Sequence, residues 1–176
     1  MKASRLILLT AGVCIGAAQL TAAPGPGAKA KAPITAVLIG LSCSTPLGPD
    51  TFEARSWSWG ATNTATDFGG GGGAGKASIS ALSLTRVSDA CSPDLLGGVV
   101  TGKHFTKFTL SQFDKDGVLQ ATVVLTDAIL TSWQVGGSNA SAEATEEVQI
   151  SFRKLTFTDV ASGSEFSWDV ALNKAP

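Results

Sequence analysis

The stretch DFGGGGGAGKASISALSLTRV, residues 67–87, admits two folds. Gly70 to Lys76 satisfies G-x-x-x-x-G-K, so one reading is a phosphate-binding loop. That chemistry asks for a buried strand before the loop, a helix after it, and a Ser or Thr hydroxyl next to the lysine to hold magnesium. Position 77 is Ala, and the preceding GATNTATD, residues 60–67, is too polar for a buried strand. Downstream, Ile79, Leu82 and Leu84 recur with a near-period of two, the pattern of a half-buried strand. The stretch therefore reads as the glycine-rich connection of a long hairpin. The apolar phase slips between Ile79 and Leu82, as one extra residue in a β-bulge would make it do.

Working outward, FEARSWSWG, residues 52–60, is the partner strand, with Trp57 and Trp59 on one face and Ser56 and Ser58 on the other. ITAVLIGLSC, Ile34 to Cys43, is a continuous apolar run and predicts a strand buried on both faces. One helix is expected at SPDLLGGVVTG: Ser92 suits the N-cap, Pro93 the first helical position, Asp94 the dipole, and Gly102 the C-terminal stop. Gly97 and Gly98 weaken it, so it must be held by packing. Leu95, Leu96, Val99 and Val100 should then lie against the sheet or a neighbouring chain. From His104 the strands resume: HFTKFTLSQF, a turn at Asp114 to Gly117, VLQATVVLTDAILTSWQV with a bend near Asp127, EVQISFRKLTFTDV with Val148, Ile150 and Phe152 on one face, and SEFSWDVAL. About eight strands with one short flanking helix make the class mainly β, a small antiparallel barrel.

The first 23 residues carry Lys2 and Arg5, an apolar run from Leu6 to Ala18, and the small residues Thr21-Ala22-Ala23. This is the pattern of a cleaved secretory signal peptide, too short for a membrane span and with no lipoprotein context around Cys14. Residues 24–33, PGPGAKAKAP, read as a Pro/Gly/Lys linker, and residues 34–173 as one domain. The expected location is periplasmic or extracellular, with no stable membrane anchor. A formal net charge of -1 and no basic cluster beyond the linker argue against nucleic acid as a partner. Cys43 and Cys91 survive processing, either as a disulfide or as two small buried thiols; spacing alone does not decide.

Catalysis finds little support. The chain has 1 His and 0 Tyr, and His104 reads as a half-exposed structural side chain. DKDG at 114–117 lacks the later ligands of a calcium loop and reads as a local turn. Glu143, Glu146 and Glu147 have no cation nearby in sequence and read as solvated charges. Trp57, Trp59, Trp133 and Trp168 alternate with polar residues and read as core. No catalytic residue, metal or cofactor is expected.

The ordered set SWSWG, GKASISALSLTR, SPDLLGGVVTGKHF, VLTDAILTSWQVGG and EEVQISFRKLTF resembles the Hcp family, the haemolysin-coregulated proteins of the type VI secretion system, from about Ile34 to Leu172. The resemblance implies a β-barrel with a flanking helix, hexameric rings, and stacking into an expelled tube that carries small effectors. It implies contacts with the spike, sheath or effector proteins of that machine and no catalytic residues. Two features depart from the family. The leader sends the chain through general export, and SCSTPLGPD, residues 42–50, replaces the polar Gly-Glu-Ser type of sequence used in ring stacking. The alternative function is an exported Hcp-like binding module unrelated to a tube, using Trp57 and Trp59 at its surface.

Overall fold

In the computed structural model the described residues are 33–63 and 76–176. The leader, all of the linker but Pro33, and the glycine connection lie outside them. The described elements are β1 (Ile34–Leu38), β2 (Ser44–Thr45), β3 (Gly48–Pro49), β4 (Thr51–Glu53), β5 (Ser56–Ser58), β6 (Ala61–Asn63), β7 (Ala77–Ile79), β8 (Leu82–Val87), α1 (Ser92–Thr101), β9 (His104–Phe113), β10 (Leu119–Gly136), β11 (Thr145–Asp159) and β12 (Ser164–Asp169).

One antiparallel sheet runs in the order β4-β1-β9-β10-β11-β8-β5, with β12 also paired to β11. Its two end strands, β4 and β5, are separated in sequence only by Ala54 and Arg55. The Ala54 amide donates to the Ile34 carbonyl at 3.0 Å, and the Arg55 amide donates to the Thr85 carbonyl at 2.7 Å. Two residues thus step from one margin of the sheet to the other. That is possible only if the sheet curls until its margins meet, which produces the barrel. FEARSWSWG is accordingly two short strands with different partners rather than one.

The alternation read from the sequence is the alternation of burial. In β8 Leu82, Leu84 and Arg86 point inward, and in β11 Glu146, Val148 and Ile150 do. With Leu38, Phe52, Phe108, Leu110, Val123 and Leu125 they form one core. The extra residue expected between Ile79 and Leu82 is present. From the pair Ser58↔Ser83 to the pair Ala61↔Ile79, one strand contributes Trp59 and Gly60 while the other contributes Ser80, Ala81 and Leu82. The bend at Asp127 is also present, as a left-handed residue with φ 53° inside the long β10.

Three expectations are corrected. β1 ends at Leu38 and is buried on alternate residues, not on both faces. Gly40 (φ 92°) and Ser42 (φ 74°) turn the chain there, and their amides donate to the Asp50 carboxylate at 2.8 and 2.7 Å. The N-cap of α1 is Cys91, not Ser92. Ser92 is already helical, its Oγ accepts the Asp89 amide at 3.0 Å, and Asp89 accepts the Cys91 amide at 2.7 Å. The last strand stops at Asp169, whose buried carboxylate accepts the Leu172 amide at 2.9 Å and turns the chain.

α1 survives its glycines because one of them is needed. An added Cβ at Gly98 would lie 2.9 Å from Leu130 Cδ1 and 3.1 Å from Phe105 Cζ, so this residue lets the helix sit close on β9 and β10. Gly97 has nothing within 4 Å. Gly102 closes the helix in the left-handed region at φ 63°, its amide reaching the last carbonyls.

Candidate functional site

The helix read as a core or interface element divides its four apolar residues. Leu95 is fully buried and Val99 packs against the core, whereas Leu96 is 40% and Val100 75% exposed. Residues one position apart on a helix lie about 100° apart around its axis, which puts each pair of neighbours on different faces. Leu96 and Val100 are four apart and share the outward one. α1 is too short and too exposed to cross a membrane; among the described residues no helix is long and apolar enough to do so.

Beside this helix runs the loop from Ile39 to Asp50, with β2 and β3 as a small hairpin inside it. Cys43 and Cys91 are joined by a disulfide, with Cα atoms 5.1 Å apart, at the helix N-terminus. Past the other end, the Lys103 ammonium donates to the Gly40 carbonyl at 2.6 Å and lies 5.3 Å from the centre of the Phe105 ring. The loop is therefore tied near both ends of α1, with Leu41 buried beneath it and Ile39 48% exposed. The Ile39 amide donates to the Lys107 carbonyl of β9 at 3.1 Å.

Under the same region lies a charged group that the sequence reading misplaced. Glu146 is not solvated: it is buried, as is Arg86, which it pairs with across β8 and β11. Arg86 Nη1 is 3.6 Å from Glu146 Oε2, the guanidinium also contacts Asp89, and its Cζ sits 4.6 Å from the centre of the Phe52 ring. Ser88 Oγ donates to Glu146 Oε1 at 2.7 Å, while Oε2 has no hydrogen-bond partner. The missing cation comes from a strand 60 positions earlier, which is why no local inspection found it. The signal was nonetheless present: extending the inward alternation two residues back from Val148 reaches Glu146, and two on from Leu84 reaches Arg86.

The other carboxylates are engaged as well. Glu143 meets Arg55 at 2.6 Å, and Glu147 accepts Ser83 Oγ at 3.0 Å. A hollow of about 250 Å³ is lined by Glu53, Arg55, Val87, Ser88, Asp89 and Glu143. Within it Arg55 pairs with Glu143 alone, so the lining, with three carboxylates and one guanidinium, is net acidic. At the DKDG turn, Asp114 Oδ1 accepts the amides of Asp116 and Val118 at 2.8 and 2.9 Å. The Val118 amide bond is the main reason the Asp114 carboxyl is held below its usual 3.8, against a smaller opposing effect of desolvation. His104 is exposed and its Nδ1 lies 3.0 Å from Asp127 Oδ1. Among the described residues no group of three or more His, Cys, Asp or Glu is placed to hold a metal ion.

The tryptophans are half-buried, and Trp57, Trp59 and Trp133 pack against the core. Trp57 Nε1 donates to Gln112 Oε1 at 3.0 Å. Trp59 lies 6.2 Å from Phe157, Phe157 pairs across the strands with Phe166, and Phe166 stacks on Trp168 at 6.1 Å. The result is an aromatic row whose outermost member, Phe166, is 50% exposed.

Comparison with known proteins places this arrangement. Solved structures share the fold. One described as a type six secretion system protein aligns at a TM-score of 0.68 with 22% identity, covering 80% of this chain and 97% of its own. Hcp1 from Salmonella typhimurium aligns at 0.66 with 23% identity, over 80% and 96%. A type VI secretion system effector from Yersinia pestis aligns at 0.64 with 23% identity, over 78% and 99%. No curated protein matches the chain by sequence. The family model described as "Type VI secretion system effector, Hcp" matches residues 42–158, well over half of the chain, and the chain belongs to the Hcp family.

Proposed function

We propose that this chain is a non-enzymatic structural and carrier subunit that closes on copies of itself into a hexameric ring, with rings stacking to carry effector cargo. The observation that carries the reading is the outward face of α1. A ten-residue helix with two glycines has little intrinsic stability, yet it presents Leu96 and Val100 to solvent. In a closed ring each subunit shows one surface to the next, and such a contact covers apolar side chains without leaving a free end. Membership of the Hcp family supports the same reading and makes the spike, sheath and effector proteins of a type VI apparatus the partners to test. Export to the periplasm or beyond is supported by the leader pattern in residues 1–23 and by the Cys43–Cys91 disulfide, a bond that persists in oxidising compartments.

The aromatic row favours a second reading, an exported module that uses Phe166 and Trp168 to hold an extended or planar ligand. Light scattering on the mature protein separates the two. The tube-like reading expects about six times the monomer mass. A folded monomer at high concentration, in oxidising and reducing buffers alike, favours the binding module.

A further inference from the structure

We propose that the surface receiving α1 on the next copy of the chain is β12 with the turn after it, so that Leu96 and Val100 of one subunit seat on Phe166 and Leu172 of another. The inference rests on the ring reading above and names the half of the contact which that reading leaves open.

A closed ring needs two different surfaces on each subunit, because the patch shown to one neighbour is not the patch shown to the other. α1 supplies one, and β12 has the character of the second. β12 pairs with β11 along one side only. On its other side Asp169 turns its backbone to Lys174, exchanging hydrogen bonds at 2.9 and 3.3 Å. By the alternation of an antiparallel strand, the amides and carbonyls of Ser167 and Glu165 point the same way, and among the described residues they have no backbone partner. A strand edge of this kind is a liability that a covering helix removes. Within the single subunit α1 packs elsewhere, on β9 and β10.

The apolar and charged groups of the two surfaces match in order. Phe166 is 50% and Leu172 56% exposed on this flank. The start of β12 is acidic, with Glu165 exposed and Asp159 opposite Ser164. Its end is net positive, since Lys154, 3.8 Å from the buried Asp169 carboxylate, and Lys174, paired with the same residue, are two cations about one anion. α1 carries Asp94 in its first turn and Lys103 just past its last. The Lys103 ammonium rests on a carbonyl and a ring face, so its charge is not cancelled. Asp94 and Lys103 are about 14 Å apart at 1.5 Å per helical residue. Glu165 and Asp169 are about 13 Å apart at 3.3 Å per strand residue. Laid antiparallel on β12, the helix sets Val100 and Lys103 over Phe166 and Glu165, and Leu96 and Asp94 over Leu172 and Lys174. The parallel direction would oppose Asp94 to Glu165 and Lys103 to Lys174, so charge selects one orientation.

The test mixes two broken subunits. Val100→Arg and Phe166→Arg should each give a folded monomer in light scattering. Mixed in equal amounts, they should form a species of about twice the monomer mass and no larger. The intact α1 of the Phe166→Arg chain still fits the intact β12 of the Val100→Arg chain, and the two surfaces left over are both blocked. Because Phe166 stacks on Trp168, Leu172→Arg serves as a second variant on an exposed turn and should behave alike. Glu165→Lys should raise the concentration of half-assembly by about tenfold, and adding Lys103→Glu should recover it. Phe166→Arg and Leu172→Arg chains of parental mass would overturn β12 as the receiving surface and leave the ring standing. A mixture that stays monomeric at the highest concentration, or no recovery in the charge-swapped pair, would also overturn the match. A monomeric parent would remove the ring and this contact together.

Discussion

The two halves of the barrel are built by different means. From His104 onward the chain makes long strands joined in sequence order, β9 to β10 to β11 to β12, and each pairs with the next. Before His104 the strands are two to six residues long, and β1 and β8 reach into the second half for partners, β9 and β11. There the structure depends on single ties: a disulfide spanning 48 positions, the buried Arg86–Glu146 pair, and Arg55–Glu143 across 88 positions. Long hairpins distribute their stability over many equivalent contacts, so the second half should tolerate local change. The first half concentrates it, and removing one tie should be felt at once.

The largest effect is expected at the buried pair. Arg86→Met leaves Glu146 charged and enclosed, a loss of about 3–5 kcal/mol, readable as a lowered denaturant midpoint. Adding Glu146→Leu should recover most of it, because the cost lies in the orphaned charge rather than in the missing attraction. If the single variant were as stable as the parent, the contrast between the halves would lose its strongest support. The disulfide comes next: replacing both cysteines by Ala should cost roughly 2–4 kcal/mol, in line with a loop of this length. A smaller and more diagnostic pair lies in the helix. Gly98→Ala should lose roughly 1 kcal/mol, the overpacking against Leu130 and Phe105 outweighing the better helix propensity. Gly97→Ala should gain about 0.5–1 kcal/mol, since its Cβ meets open space.

The smallest effect belongs to the second half. The carboxyl of Asp114 titrates below 3.8, so the charged form is favoured by folding. Its contribution is fully present above that value and is lost as pH falls through the lowered folded pKa. Asp114→Asn should therefore differ from the parent in denaturant midpoint at neutral pH and converge on it in strong acid. A difference that stayed constant down to strong acid would contradict the assignment of the turn to its carboxylate.

The same division explains what could be read from the sequence. β9, β10 and β11 were legible almost to the residue because alternation and turn residues are local signals. The class, the helix, its Gly102 stop, the slip before Leu82 and the bend at Asp127 followed from the same kind of evidence. The run from Ile34 to Cys43 misled, because Ile39 is apolar in sequence yet half exposed where the strand ends and the chain begins to turn. The barrel closure at Ala54 and Arg55 was not legible, since the partners of β4 and β5 are chosen by the rest of the sheet. The site was half legible. The four apolar residues of α1 were found, but which of them faced outward depended on where the helix docks. That docking is decided by Gly98, which the sequence showed only as a weakness.

Ring closure depends most directly on that outward face. Val100→Arg should leave the melting temperature of the oxidised mature protein within about 2 °C of the parent, because this residue is 75% exposed in the single subunit. Leu95→Arg, on the opposite face, should unfold it. In light scattering, Val100→Arg is predicted to convert an assembly of about six subunits to a folded monomer, since it sets six buried charges in the contacts of the ring. An assembly of parental mass in the Val100→Arg protein would contradict the claim that α1 is where one subunit meets the next.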